Sequence, residues 1–468
     1  MKPGCKVYLH HLNHHDWLIG YNSQEFQQIT TSLYAQLTQL AQQNQPPKII
    51  LAEREPVKFL AGFIAACAAN CNVFLCNPDW GEQELNQVFN LVKPDIIWGL
   101  GTGDWVLGTG YWELGKSYSP SSPSSPSFPL IMIPTGGSSG EIKFTMHTWE
   151  TLTASVAGFT EYFQLKQVNS FCVLPLYHVS GLMQFIRSFT TGGKLVILPF
   201  KSIELGQKYQ IKPQEFFISL VPTQLQRLLQ NPELTAWLAQ FKTVLLGGAP
   251  AWEELLEKAR FHGIRLAPTY GMTETASQIA TLKPEDFLNH KTGSGQILPH
   301  AQVKICNSQG QVLQANQIGN ITIQAKSLAL GYYPHIWNHQ HDFAVDDLGF
   351  IDEQGYLNIV GRNSDKIISG GENIYPAEVE AAIRNTGMVT DVCVIGIKHQ
   401  DWGQALTAVY IPRNSDITAG EIKNALYNQI SKFKIPKYWI PQTNLPRNAQ
   451  GKINRQKLQQ IATEFLSK

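Results

Sequence analysis

The chain has no charge excess, no cysteine framework and no long apolar run. Lysine and arginine total 37 against 36 aspartates and glutamates, a formal net charge of +1 over 468 residues. Nothing in that balance favours nucleic acid or an anionic membrane, so small molecules are the expected partners. The seven cysteines (Cys5, Cys67, Cys71, Cys76, Cys172, Cys306 and Cys393) are odd in number and show no repeated CxxC or Cys/His pattern. This argues against a disulfide framework and against a zinc site. The most apolar stretch, Phe59 to Cys76, is interrupted by Asn70 and Asn72 and stopped by the turn signal Asn77-Pro78-Asp79. It reads as a buried helix followed by a strand, too broken for a membrane span of about 20 apolar residues. His10, His11, His14, His15 and Asp16 stand where a secretory signal needs an apolar core. They read as solvated residues without a defined metal-ligand set, and a reducing cytoplasm is the expected compartment.

What is present is an alternation. By a rule of roughly 150 residues per domain, the length suggests two to four folding units. From residue 47 onward short apolar runs alternate with longer helical patterns: Lys48 to Leu51, Val73 to Cys76, Ile96 to Trp98, Leu130 to Ile133, Phe171 to Leu174, Lys194 to Leu198, Phe217 to Val221 and Val244 to Leu246. That order predicts layered α/β structure with parallel strands. The Ser/Pro-rich stretch 118–127 reads as an exposed linker. After about residue 292 strands shorten between Gly, Asn and Gln turns, which predicts a β-rich unit. Past Arg362, strands such as Val392 to Ile397 and helices such as Ala377 to Ile383, led by Pro376, predict a small α+β domain.

The densest chemical signal is PTGGSSGEIK, residues 134 to 143, after the apolar run Pro129 to Ile133. Gly136, Gly137 and Gly140 free the backbone N–H groups to face an anion, Thr135, Ser138 and Ser139 add hydroxyls, and Lys143 adds a positive charge. The pattern fits a phosphate-holding loop, although an ordinary Ser/Gly turn has a similar composition. It is not a Walker loop, because no Gly-Lys-Ser/Thr follows at the required spacing.

Further segments follow in a recognisable order: PLYHVSG at 175–181, LLGGAP at 245–250, PTYGMTET at 268–275, DDLGF at 346–350, GRNSDKIISGGENIYP at 361–376 and PRNAQGKINR at 446–455. Over about residues 47 to 460 the chain resembles the adenylate-forming superfamily of acyl-CoA synthetases, peptide-synthetase adenylation domains and luciferases. The resemblance implies a large N-terminal domain over 1–361, a hinge at 362–365 and a small mobile C-terminal domain over 366–468. It also implies two steps: a carboxylate attacks the α-phosphate of ATP, giving an acyl-adenylate and pyrophosphate, and a thiol then takes the acyl group. ATP, Mg²⁺ and CoA are the implied cofactor and co-substrates.

Residue by residue, the resemblance gives Thr135, Ser138, Ser139, Gly140 and Lys143 to the β- and γ-phosphates. Gly247, Gly248 and Ala249 flank the adenine, Tyr270 and Gly271 follow in YGMTE, and Tyr270 is the expected stacking aromatic. Thr273 meets the α-phosphate, and Glu274 is the Mg²⁺ ligand, oxygen being the donor that cation prefers. Asp347 and Arg362 match the ribose contacts, with Asp346 where a glycine is usual. Lys452 matches the adenylation lysine, whose cation answers charge building between carboxylate and phosphate. Ser364 stands at the hinge, where Asp or Lys is common, with Asp365 beside it. Gly370 and Gly371 match the narrow passage for pantetheine, and Trp402 a contact to the CoA arm or, equally, a core tryptophan. Ile142 and Phe144 depart from the usual proline and glycine of the phosphate loop.

For the acid, the resemblance makes His178 a gate and a support for the reacting carboxylate. Arg187, a charge on the apolar stretch GLMQFIRSF, needs a partner. With SLVPTQLQRLL at 219–229 and ISGGENIYPAEVE at 368–380, the chain looks like the o-succinylbenzoate-CoA ligase branch, which serves menaquinone or phylloquinone biosynthesis. There Arg187 would bind the carboxylate left free, with Ser180, Gly181 and Thr275 lining the pocket. A ligase for another aryl or acyl carboxylate, or a non-catalytic nucleotide-binding protein, are the alternatives. The sequence leaves oligomeric state open, a homodimer included.

Overall fold

The computed structural model describes residues 5, 6, 9, 17–43, 46–100, 129–136, 142–338, 342–369, 372–399, 402–427, 429–447 and 452–466. The clustered N-terminal histidines, the 118–127 stretch, Ser138, Ser139, Gly140, Gly370 and Gly371 lie outside them. Two large sheets carry the N-terminal region. One runs Leu18–Ile19, Leu195–Ile197, Asn169–Cys172, Phe216–Leu220, Thr243–Leu246, Leu266–Met272, Ser277–Thr281 and Gln296–Ile297. Its strands pair in parallel as far as Leu266–Met272 and antiparallel beyond. The other runs His335–Ile336, Gly331–Tyr332, Ile142–His147, Ile131–Gly136, Asn72–Leu75, Lys48–Leu51 and Ile96–Trp98. Lys48–Leu51 and Ile96–Trp98 have the expected bounds. Ile131–Gly136 runs on into the glycine loop.

The parallel strands read as continuous apolar runs because helices cover both of their faces. Val244, Leu245 and Leu246 are each buried. Helix Pro56–Ala68 is apolar almost all round and buried from Val57 to Ala68 apart from Lys58. One core cluster joins it to both sheets and to helices Trp149–Phe163 and Val179–Thr191. Phe63 packs edge-on against Phe185 at 6.0 Å between ring centroids. Truncating such a buried ring to alanine costs about 3–5 kcal/mol.

The β-rich unit is the antiparallel sheet Ala301–Cys306, Gly319–Ala325, Phe343–Ile351 and Leu357–Arg362. The C-terminal unit pairs Val389–His399 with Gly403–Pro412, flanked by Ile367–Ser369, Glu372–Ile374 and a parallel Tyr438–Pro441. Its sheet has a core cluster built with helices Pro376–Asn385 and Ala419–Leu426, and another with helix Arg455–Leu466. All seven cysteines are free and buried. Among the described residues no helix is long and apolar enough to cross a membrane.

Candidate active site

Where the first large sheet changes from parallel to antiparallel, the chain folds back on itself within a few residues. Strand Leu266–Met272 ends in a single 3₁₀ turn, Thr273–Thr275, and returns as Ser277–Thr281 with a register shift at Tyr270/Gly271. The reversal uses positive φ at Ala276 (51°) and Ser277 (90°). Glycine is required at 271, since a Cβ there would stand 2.1 Å from the Ser277 carbonyl oxygen. Thr275 is fully buried, and its hydroxyl lies 3.0 Å from the Met272 N–H and 2.7 Å from the Ser277 carbonyl. It ties the turn together, which leaves Thr273 and Glu274 in fixed positions.

Two residues from elsewhere hold that turn. His147 is fully buried; its Nε2 lies 2.8 Å from the Thr273 carbonyl and Nδ1 3.0 Å from the Thr151 hydroxyl. A carbonyl only accepts, so the proton sits on Nε2. Burial lowers the His147 pKa to about 4 and keeps the ring neutral, with the Thr273 contact opposing it. Glu274 is 8% exposed, and the Tyr332 hydroxyl donates to its Oε1 at 2.6 Å. The Tyr332 ring also lies 5.9 Å from the Lys143 ammonium. Across the mouth of the glycine loop, Lys143 is paired with Thr135. Thr135, Lys143, Tyr332 and Glu274 therefore border one region. Among the described residues Glu274 forms no ion pair, so a buried carboxylate oriented by one neutral hydroxyl is present for a hard cation.

On the neighbouring edge the Tyr270 hydroxyl donates to Asp347 Oδ2 at 2.6 Å, and Arg362 Nε meets Asp347 Oδ1 at 3.2 Å. Burial and then the Asp347 charge raise the tyrosine pKa, so Tyr270 stays a donor. Both Asp347 oxygens are thus oriented, each keeping a lone pair for a further donor. Gly247, Gly248 and Ala249 follow strand Thr243–Leu246 as a ledge, with Gly248 at φ 81°. A Cβ at Gly247 would meet Thr269 Oγ1 at 2.6 Å.

His178 caps helix Val179–Thr191 without a side-chain cap bond and packs on Tyr177 at 4.4 Å. Burial, and next the Lys452 charge, lower its pKa to about 4. Gly181 sits so close to the preceding loop that a Cβ would stand 2.1 Å from the Pro175 carbonyl oxygen. Ser180 is exposed at the same helix end, and its carbonyl accepts from Gln184. Lys452 keeps solvent contact, yet packing and the Arg362 charge lower its ammonium pKa, while Glu274 and Asp347 pull it up. The Lys452 charge of the C-terminal unit thus acts on His178, and the Glu274 and Asp347 charges act on Lys452.

Arg187 points inward and is 2% exposed. Its Nη2 donates to Gln278 Oε1 at 2.8 Å and Ser277 Oγ at 3.1 Å, and the guanidinium lies over Phe159 at 4.3 Å. Among the described residues no carboxylate pairs with it, and burial lowers its pKa. Trp402 is not a core residue: it is 45% exposed with the Lys437 ammonium 4.1 Å from its ring. Ser364 donates from its backbone to Asp346 Oδ1 at 3.2 Å and from its hydroxyl to Oδ2, while Asp365 pairs with Arg455 at 3.4 Å. His147, Tyr332, Ser277 and Gln278 were absent from the sequence-based site. No local pattern marks them, although His147 directly precedes the N-cap Thr148, a position from which a side chain reaches a neighbouring layer.

A model of the AMP-binding enzyme family matches residues 23–333, and one of the AMP-binding enzyme C-terminal domain matches residues 378–452. The chain is similar to the 2-succinylbenzoate–CoA ligase of Geobacillus sp. (strain WCH70), with 34% identity over 339 residues, 70% of this chain and 68% of that protein. Its fold is similar to that of o-succinylbenzoate CoA synthetase from Bacillus subtilis, solved with the acyl-adenylate intermediate. There the TM-score is 0.79 at 23% identity, covering 98% of each chain. ATP-bound MatB from Rhodopseudomonas palustris gives a TM-score of 0.81 at 21% identity, covering 99% of this chain and 100% of that one.

Proposed function

The chain belongs to the AMP-binding enzyme family, in its 2-succinylbenzoate–CoA ligase branch, and we propose that it makes o-succinylbenzoyl-CoA from the acid, ATP and CoA. It is an AMP-forming acid–thiol ligase on the route to menaquinone or phylloquinone. In the first step the succinyl carboxylate attacks the α-phosphate and pyrophosphate leaves. Thr135, Lys143 and the loop between them hold the leaving phosphates, Thr273 meets the α-phosphate, and Lys452 answers the charge that builds between the reacting groups. Gly247, Gly248 and Ala249 flank the base, with Tyr270, while Asp347 and Arg362 take the ribose. Glu274, oriented by Tyr332, would hold Mg²⁺, which when bound neutralises phosphate oxygens.

In the second step the CoA thiol attacks the acyl carbonyl and AMP departs. Lys452 must first withdraw, by rotation of residues 366–468 against 1–361 about 362–365. Supporting that boundary, Ser364 bonds to Asp346 of the N-terminal region whereas Asp365 bonds to Arg455 of the C-terminal helix. Gly370, Gly371 and the exposed Trp402 then receive the pantetheine arm. His178 gates the acid, Ser180, Gly181 and Thr275 border it, and Arg187 reads the carboxylate that is not activated. Seven free, buried cysteines support a cytoplasmic setting. Light scattering separates a monomer from a homodimer.

The single observation that carries the proposal is the pair of oriented carboxylates, Glu274 held by Tyr332 and Asp347 held by Tyr270 and Arg362. The test is ATP- and CoA-dependent thioester formation on o-succinylbenzoate, benzoate, 4-phenylbutyrate and medium-chain fatty acids, with wild type beside Arg187→Leu. A preference for o-succinylbenzoate that collapses in the variant is expected. Preference for a monocarboxylate would keep the adenylating chemistry and discard the substrate.

A further inference from the structure

Beside Arg187 lies a buried histidine that the adenylation steps do not use. His300 immediately precedes strand Ala301–Cys306 and is 7% exposed. Its ring occupies the notch left by Gly158, where a Cβ would stand 1.8 Å from Nδ1 and 2.5 Å from Cγ. The next residue on the same helix, Phe159, carries the Arg187 guanidinium on its face at 4.3 Å. The imidazole and the guanidinium thus pack against the same helix, close enough for the Arg187 charge to act on the ring. Burial, followed by the Arg187 and Lys326 charges, lowers the His300 pKa to about 4 and keeps the ring neutral.

The hydrogen-bond inventory here is incomplete in one direction. Among the described residues neither ring nitrogen of His300 has a partner, and neither Arg187 Nε nor Gln184 Oε1 has one. Arg187 Nη2 is satisfied, since it donates to Ser277 and Gln278. A neutral imidazole carries one N–H in either tautomer, so two buried donors, that N–H and the Arg187 Nε–H, lack acceptors. Buried donors of this kind are rarely left unmet. A carboxylate supplies two acceptor oxygens and a charge to match the guanidinium.

We propose that His300 is a further specificity-determining residue, whose N–H acts with the Arg187 Nε–H to bind the carboxylate of the acid that is not activated. The inference rests on the proposed dicarboxylate substrate. A neutral imidazole suits the role, because it adds a donor without placing a second buried cation beside Arg187.

The test uses the full-length enzyme and compares KM and kcat for o-succinylbenzoate and 4-phenylbutyrate in wild type, His300→Phe, His300→Gln and Gly158→Ala. In His300→Phe the KM for o-succinylbenzoate is expected to rise about tenfold more than that for 4-phenylbutyrate, the size of one charge-assisted hydrogen bond. His300→Gln, which restores an N–H, should recover most of the difference. Gly158→Ala removes no polar group but displaces the ring, and should reproduce the selective rise even if His300→Phe fails to fold. Equal changes for both acids, or a fall in melting temperature with no selective change in KM, would overturn the assignment and leave a structural histidine. Failure of the substrate proposal is visible separately, as a wild type that shows no preference for o-succinylbenzoate.

Discussion

Asp346 accepts from Ser364 twice over, its two oxygens sharing the backbone N–H and one of them also taking the hydroxyl. Both residues are departures from the usual pattern, an aspartate for a glycine and a serine for a charged hinge residue, and each supplies what the other uses. Alternation along strand Phe343–Ile351 turns Asp346 toward Ser364 and Asp347 toward Tyr270 and Arg362. With the hinge proposed at 362–365, Asp346→Gly removes a contact that would favour the orientation in which Lys452 serves adenylation. Pyrophosphate release in the first half-reaction should fall about threefold to tenfold, the range for one or two exposed hydrogen bonds. The check is single-turnover kinetics of each half-reaction, and an equal loss in both would show that the contact does not bias the two orientations.

Tyr332 gives a second test, because its hydroxyl is the described partner of a buried carboxylate oxygen. Tyr332→Phe keeps the ring near Lys143 but leaves Glu274 Oε1 without that donor. Losing a hydrogen bond to a charged group costs about 1.5–3 kcal/mol, so activity at limiting Mg²⁺ should drop roughly tenfold to a hundredfold. A titration of rate against Mg²⁺ should show a higher half-saturation and partial recovery at high metal. A metal dependence identical to that of wild type would remove Tyr332 from the cation site.

His147 ties stability to pH. Its folded pKa of about 4 lies below the ordinary 6.5, so the unfolded chain binds its proton more readily. The stabilisation is therefore complete above about pH 6.5 and is lost as pH falls toward 4, about 3 kcal/mol in all. Denaturant melts between pH 4 and 7 should show this loss in wild type. In His147→Gln, whose amide can still donate to the Thr273 carbonyl, the dependence should flatten. His300 contributes in the same direction and remains in that variant.

The grouping of residues that lie within one turn was legible in the sequence. Tyr270 to Thr275 and Gly247 to Ala249 each form a continuous segment, so residue order alone groups them, and apolar runs such as Ile96–Trp98 mark buried parallel strands. What was not legible are the supports that come from distant segments. Tyr332 lies 58 residues from Glu274 and His147 lies 126 from Thr273, separations at which no periodicity relates one side chain to another. Arg187 shows the intermediate case. Its charge on an apolar helix announces an unusual environment, but not that Ser277 and Gln278 already satisfy one edge and leave Nε open. Trp402 was ambiguous for the same reason, since burial is a property of the neighbours and not of the indole.

Lys452 offers the sharpest separation of the two half-reactions. It lies just before helix Arg455–Leu466, which Arg455 fixes to strand Val389–His399 through the Val394 carbonyl at 2.7 Å and to helix Pro376–Asn385 through Glu380 at 3.3 Å. The lysine is therefore tied to the C-terminal unit. Lys452→Ala removes a preorganised cation from the first transition state, which should slow adenylation about 10²- to 10³-fold. Thioester formation from supplied acyl-adenylate should fall far less, because in the proposed scheme the lysine leaves the cleft before that step. The measurement is the rate of CoA thioester formation from the acid plus ATP beside the rate from the preformed adenylate. Equal losses in both would mean that Lys452 supports the cleft structurally, since a structural defect would not distinguish the half-reactions.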